Sequence, residues 1–192
     1  MSKTIDIFVI QNTDKCVESD DKDNCEGYLQ SLFAYYYFNG AIIVSDIPDF
    51  IDVVTKKVMM SGGAKIKNLV IGSHGHGDGY PGAYFRIGSA VIDHASTDHL
   101  TSLGLLAPFF AKDADVFILA CHTGQSTVLL QKVSKALGGI RVHGYTESIE
   151  TNGFTLDDGT RDGGQQIVCV LGKCKRTDQQ RPARASWLNS AR

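Results

Sequence analysis

The chain has 192 residues, 43% of them hydrophobic and 21% charged, with a formal net charge of −2. That composition is ordinary for a globular protein large enough for a real core. It sets up no global field to recruit nucleic acid or an acidic membrane, and no apolar run approaches the roughly 20 residues that span a bilayer. The amino terminus runs straight into a strand-like segment and lacks the pattern of a secretory signal, so the expected compartment is the cytoplasm and the expected thiols are reduced. There are five cysteines, Cys16, Cys25, Cys121, Cys169 and Cys174. Cys16/Cys25 and Cys169/Cys174 are close enough in sequence to bridge if the chain is exported by a signal-independent route, which would leave Cys121 alone.

In chain order, TIDIFVI (4–10) reads as a buried strand and 16–25 as a polar, acidic loop. Residues 26–38 carry apolar side chains at helical spacing and stop at Asn39-Gly40. AIIVS (41–45) is a second strand. Asp46 is placed to cap the next helix, with Pro48 in its first turn and a stop at Ser61-Gly62-Gly63. KNLVIGS (67–73) is a third strand, and YFRIGSAVI (84–92) a small hairpin. Helix signals return over 99–111. ADVFILA (114–120) is the fourth strand, TVLLQKVSKAL (127–137) an amphipathic helix, IRVHGY (140–145) the fifth strand and QQIVCVL (165–171) the sixth. Apolar strands alternating with amphipathic helices predict a doubly wound, three-layer α/β/α domain on a mostly parallel six-stranded sheet. The expected boundaries are one domain over 1–172 and a basic, loose tail over 173–192.

Ligands of open α/β sheets bind beyond the carboxyl ends of the strands. Strand 67–73 empties into Ser73-His74-Gly75-His76-Gly77-Asp78, and strand 114–120 into Cys121-His122-Thr123-Gly124. If these strands are neighbours, a thiol and an imidazole emerge on one edge, the requirement for a cysteine nucleophile with an acid/base partner. The backbone N–H groups of Gly75 and Cys121 are candidates for an oxyanion hole. A helix start just after Cys121 would favour its thiolate.

An apolar strand ending in His-Gly (NLVIGSHG), followed by an apolar strand ending in a small residue and Cys (DVFILAC), resembles the caspase-like cysteine peptidases. That group also contains legumains, gingipains, clostripain, separase and the self-processing domains of large bacterial toxins. The motifs span 67–145, and the element order extends the resemblance over roughly 4–171. It implies a caspase-like fold and a cysteine endopeptidase acting on a protein or peptide substrate, with no cofactor. Cys121 would be the nucleophile; His74 would polarise the scissile carbonyl and protonate the leaving amine. His122, next to the nucleophile, is outside the group's core pattern. Residues near the loop after the fifth strand build the side-chain pocket in that group. Here the loop carries Glu147, Asp157 and Asp158, which would favour a basic residue before the cleaved bond. His76, Asp78 and His122 are further candidates for contact with substrate.

Two other readings stay open. His74-x-His76-x-Asp78 resembles the His-x-His-x-Asp-His signature of metallo-β-lactamase-fold hydrolases, and two imidazoles with a carboxylate suit zinc. Gly79 stands where that signature has its last His, so His122 and His143 would have to supply later ligands. The third reading is a catalytically inactive caspase-like scaffold or binding domain.

Overall fold

The computed structural model describes residues 3–12, 42–77, 82–148 and 165–177. These form a mixed α/β fold on a seven-stranded, mostly parallel sheet. Its strands are β1 (Thr4–Gln11), β2 (Ile42–Val44), β3 (Lys65–Gly72), β7 (Phe110–Leu119), β8 (Arg141–Tyr145), β9 (Gln166–Val170) and β10 (Lys173–Thr177). They lie in the order β10-β9-β8-β7-β3-β1-β2. The pairings from β2 to β8 are parallel, and β9 and β10 are antiparallel. A second, three-stranded sheet holds β4 (Gly75–His76), β5 (Tyr84–Ile87) and β6 (Ala90–Ile92).

The three described α-helices pack against one face of the large sheet. Helix α1 (Ile47–Met60) inserts Phe50, Val54 and Val58; α2 (Thr97–Leu103) adds Leu100 and Leu103; α3 (Thr127–Ala136) adds Leu129, Leu130 and Val133. They meet Ile7, Val9, Leu69, Ile71, Val116 and Ile118 in one core. The alternate residues Phe8, Ile10, Val70, Phe117 and Leu119 are buried as well. A strand enclosed on both sides has no use for polar alternation, which is why these strands read as continuous apolar runs.

The helix signals act as their chemistry dictates. The Asp46 carboxylate accepts the Asp49 N–H at 2.8 Å, and the Ser126 hydroxyl accepts the Leu129 N–H at 3.2 Å. Each such cap contributes about 1 kcal/mol. The helix expected over 99–111 comes out shorter. It is α-helical to Leu103, continues as a 3₁₀ turn over Gly104–Phe109, and becomes β7 at Phe110. Pro108 has no N–H to donate and its ring crowds the carbonyl four residues back, so the α-helix cannot continue through it.

Two further expectations change at the carboxyl end. Lys173–Thr177, assigned from sequence to a loose tail, forms the seventh strand by pairing with β9 through the tight turn at Leu171-Gly172. Cys169 and Cys174 stand directly opposite in that hairpin and form a disulfide, where reduced thiols were expected. A cross-strand partner brings the two Cβ atoms within bonding reach, which sequence spacing cannot reveal. Cys16, Cys25, the 26–38 helix and the tail beyond Thr177 lie outside the described residues. Among the described residues no helix is long and apolar enough to cross a membrane.

Candidate active site

The site is built on the central pair of strands. β3 and β7 are adjacent and parallel, with Ile71 opposite Ile118 and Gly72 opposite Leu119. The ladder runs one step past the strand ends, where the Ser73 N–H donates to the Leu119 carbonyl at 3.1 Å. His74 and Cys121 therefore follow the carboxyl ends of two neighbouring strands, each two residues past the last paired position. Both residues are half-buried, and Cys121 takes no part in the disulfide.

Gly75 fastens the two segments together. A Cβ on it would lie 2.6 Å from the Cys121 carbonyl oxygen, 2.8 Å from Ala120 Cβ and 2.9 Å from the Tyr84 carbonyl oxygen. The bare glycine backbone is therefore the only kind that fits between the end of β7 and β5. Gly77 repeats the arrangement one step out. A Cβ there would collide with Gln125 Oε1 and lie 2.6 Å from His122 Cβ. The two glycines let the His74 loop lie directly on the Cys121 loop.

The turn after β7 is held from the other side. His122 adopts a left-handed backbone with φ 59°, a conformation that costs a non-glycine residue about 1–2 kcal/mol. Its N–H donates to the Glu147 carbonyl at 3.1 Å. Its ring is held at both nitrogens: Nδ1 donates to the Thr146 carbonyl at 3.2 Å, and Nε2 lies 3.0 Å from Ser148 Oγ. Gln125 Nε2 also donates to the Thr146 carbonyl at 2.8 Å. Thr123, fully buried, donates its hydroxyl to the Ala120 carbonyl at 3.1 Å and accepts the Tyr145 N–H at 3.4 Å. These bonds lace the Cys121 loop to the end of β8. They give His122 a bracing position that the sequence left open.

A helix does not begin at Cys121. A three-residue 3₁₀ turn, Thr123–Gln125, comes first, and α3 starts at Thr127 behind its Ser126 cap. The dipole of a helix acts within its first turn, so the thiolate support expected from α3 does not reach Cys121.

On the His74 side, the side chain of Gln11, last residue of β1, is 2% exposed, and its Oε1 accepts the His74 N–H at 3.1 Å. Ser73, fully buried, accepts the Arg86 N–H on its hydroxyl at 3.3 Å and ties β5 to the same loop. His76 is exposed, its ring centroid 6.2 Å from that of Tyr84. An open pocket of about 380 Å³ adjoins Gln125, lined by Gly82, Ala83, His94, Ser126, Thr127 and Val128. Sequence reasoning assigned no role to Gln11 or Gln125. The available signal was a polar residue closing an otherwise apolar buried strand.

Among the described residues no group of three or more His, Cys, Asp or Glu is placed to hold a metal. His143 sits opposite Phe117, so along the strand it lies roughly 13 Å short of the level of Cys121. Its Nε2 donates to Asp115 at 2.7 Å and its ring stacks on Phe117 at 4.3 Å. Arg141 grips the same carboxylate with two bonds of 2.7 and 2.6 Å. Burial pulls the Asp115 carboxyl upward, but the hydrogen bonds from His143 and Arg141 outweigh it and hold the group below its ordinary value. This cluster braces the early part of the sheet. Glu147 is exposed beside the Cys121 loop, while Asp78, Asp157 and Asp158 lie outside the described residues. No protein-family model matches this chain, and no curated protein matches it.

Proposed function

We propose that the chain is a cysteine endopeptidase of the caspase-like kind, working through Cys121 and His74. The observation that carries this reading is the register of β3 on β7, which brings an imidazole and a thiol to one sheet edge. The half-buried setting of both residues supports it, as does the left-handed residue directly after Cys121. Strained backbone of that kind concentrates at working sites.

In the reaction, the Cys121 thiolate attacks the scissile carbonyl carbon and a sulfur–carbon bond forms. The carbonyl electrons move onto oxygen, where the N–H groups of Gly75 and Cys121 would receive the charge. Collapse breaks the carbon–nitrogen bond, and the leaving amine takes a proton from His74. Water then attacks the acyl-enzyme, gives a proton to His74, and releases the acid and the thiolate. An exposed Glu147 at the rim fits a basic side chain before the cleaved bond.

The test is cleavage of a diverse peptide library by the full chain, with labelling by a thiol-directed probe. Cys121→Ala and His74→Ala are each expected to abolish cleavage, a loss on the order of 10³-fold or more, with the fold retained. Cleavage by Cys121→Ala at the wild-type rate would eliminate the thiol mechanism.

A further inference from the structure

We infer that Gln11 is a positioning residue for His74, holding the imidazole's backbone in the place from which it can serve Cys121; this rests on the dyad reading above. Three observations carry it. The side chain of Gln11 is 2% exposed at the carboxyl end of β1, the strand on the far side of β3 from β7. Its Oε1 accepts the backbone N–H of His74 at 3.1 Å. Its Nε2 is enclosed and has no hydrogen-bond partner among the described residues.

The third observation gives the first two their weight. An enclosed amide donor without an acceptor is costly, and an apolar side chain of the same length would avoid the cost. A residue kept only for packing has no reason to be glutamine here. What the amide supplies is an acceptor beyond the end of the regular ladder. The Ser73 N–H still finds the Leu119 carbonyl, the last carbonyl of β7. The His74 N–H, facing the β1 side by the alternation of a strand, meets the Gln11 side chain there. That bond sets the point at which the chain leaves β3, and with it the direction in which His74 faces the Cys121 loop. The assignment of amide oxygen and nitrogen follows from the chemistry, because an N–H requires an acceptor.

The substrate is unidentified, so the probe is iodoacetamide, and the readout is the pH dependence of Cys121 alkylation in the full chain. An imidazole working with the thiol places an inflection below the ordinary thiol value of about 8.5. His74→Ala defines the profile without that partner. Gln11→Met keeps length and removes the amide. It is expected to move the inflection toward the His74→Ala profile by about half a unit, slowing alkylation on the acid side roughly threefold. Gln11→Glu retains an acceptor for the His74 N–H and is expected to keep the low inflection. A packing role alone would reverse this order, since the buried methionine would be better tolerated than the buried acid. A Gln11→Met profile identical to wild type overturns the inference while leaving the dyad standing. A wild-type profile identical to His74→Ala removes the dyad instead. Should Gln11→Met not fold, amide hydrogen exchange of His74 in the unmutated protein decides: protection is expected, and exchange at the rate of an open amide overturns the inference.

Discussion

Gly75→Ala tests the join between the two loops with a single methyl group. The added Cβ would sit 2.6 Å from the Cys121 carbonyl oxygen, where ordinary contact begins at 3.4 Å, so the pair is about 0.8 Å too close. The Tyr84 carbonyl oxygen closes the opposite side at 2.9 Å and Ala120 Cβ stands at 2.8 Å. Two of these three atoms are backbone, so no rotamer change relieves the clash. The His74 loop has to move away from the Cys121 loop. Overpacking of this kind costs about 1–3 kcal/mol. For a chain of this size that lowers Tm by roughly 2–12 °C. A shift approaching 1 Å between thiol and imidazole costs roughly 10- to 100-fold in a reaction that depends on their alignment. The assays are thermal unfolding by circular dichroism and the alkylation rate of Cys121 at neutral pH. A Gly75→Ala protein with wild-type Tm and wild-type alkylation would show that the loops do not lie against each other, and the site geometry would fall with it.

The Asp115 carboxyl is held below its ordinary value of 3.8 when folded, so it contributes stability above that pH and loses it as the pH falls through the folded value. Urea unfolding from neutral to acid pH is expected to show this loss below about pH 4, and Asp115→Asn to flatten that limb while costing about 1–2 kcal/mol at neutral pH; an unchanged acid limb in the variant would exclude Asp115 as its source. The Cys169–Cys174 disulfide closes a loop of sequence separation 5. Its reduction is expected to lower stability by about 2 kcal/mol on the loop-entropy account, read as a fall in Tm on adding dithiothreitol. Mass analysis of the native, alkylated protein is expected to find both thiols protected, and their modification without reductant would contradict the bridge.

Most of the strands and helices are legible in the sequence because they are written in short-range chemistry. NLVIG and VFILA are continuous apolar runs that only a two-sided burial explains, and Asp46 and Ser126 mark helix starts by a rule that involves three or four residues. The seventh strand was not legible. KCKRT has no apolar run and a single β-branched residue, Thr177, and it becomes a strand because the Leu171-Gly172 turn folds it back onto β9. The apolar spacing over 99–111 overstated the helix before β7, which ends at Leu103, and the conversion to a 3₁₀ turn depends on how the chain must enter the sheet.

The same division holds at the site. The sequence by itself determined that His74 and Cys121 each follow a buried strand, and that glycine surrounds the first. It could not say that the strands are neighbours, because strand order is set by crossovers and core packing rather than by any local pattern. Tertiary structure decided that β3 lies beside β7, so that the two residues leave one sheet edge from neighbouring strand ends. It also decided that Gln11, more than sixty residues upstream, supplies the acceptor for the His74 N–H, and that His122 is laced to the end of β8. Local propensity fixes what each segment becomes, whereas a cross-strand register fixes which side chains meet, and only the folded sheet contains that register.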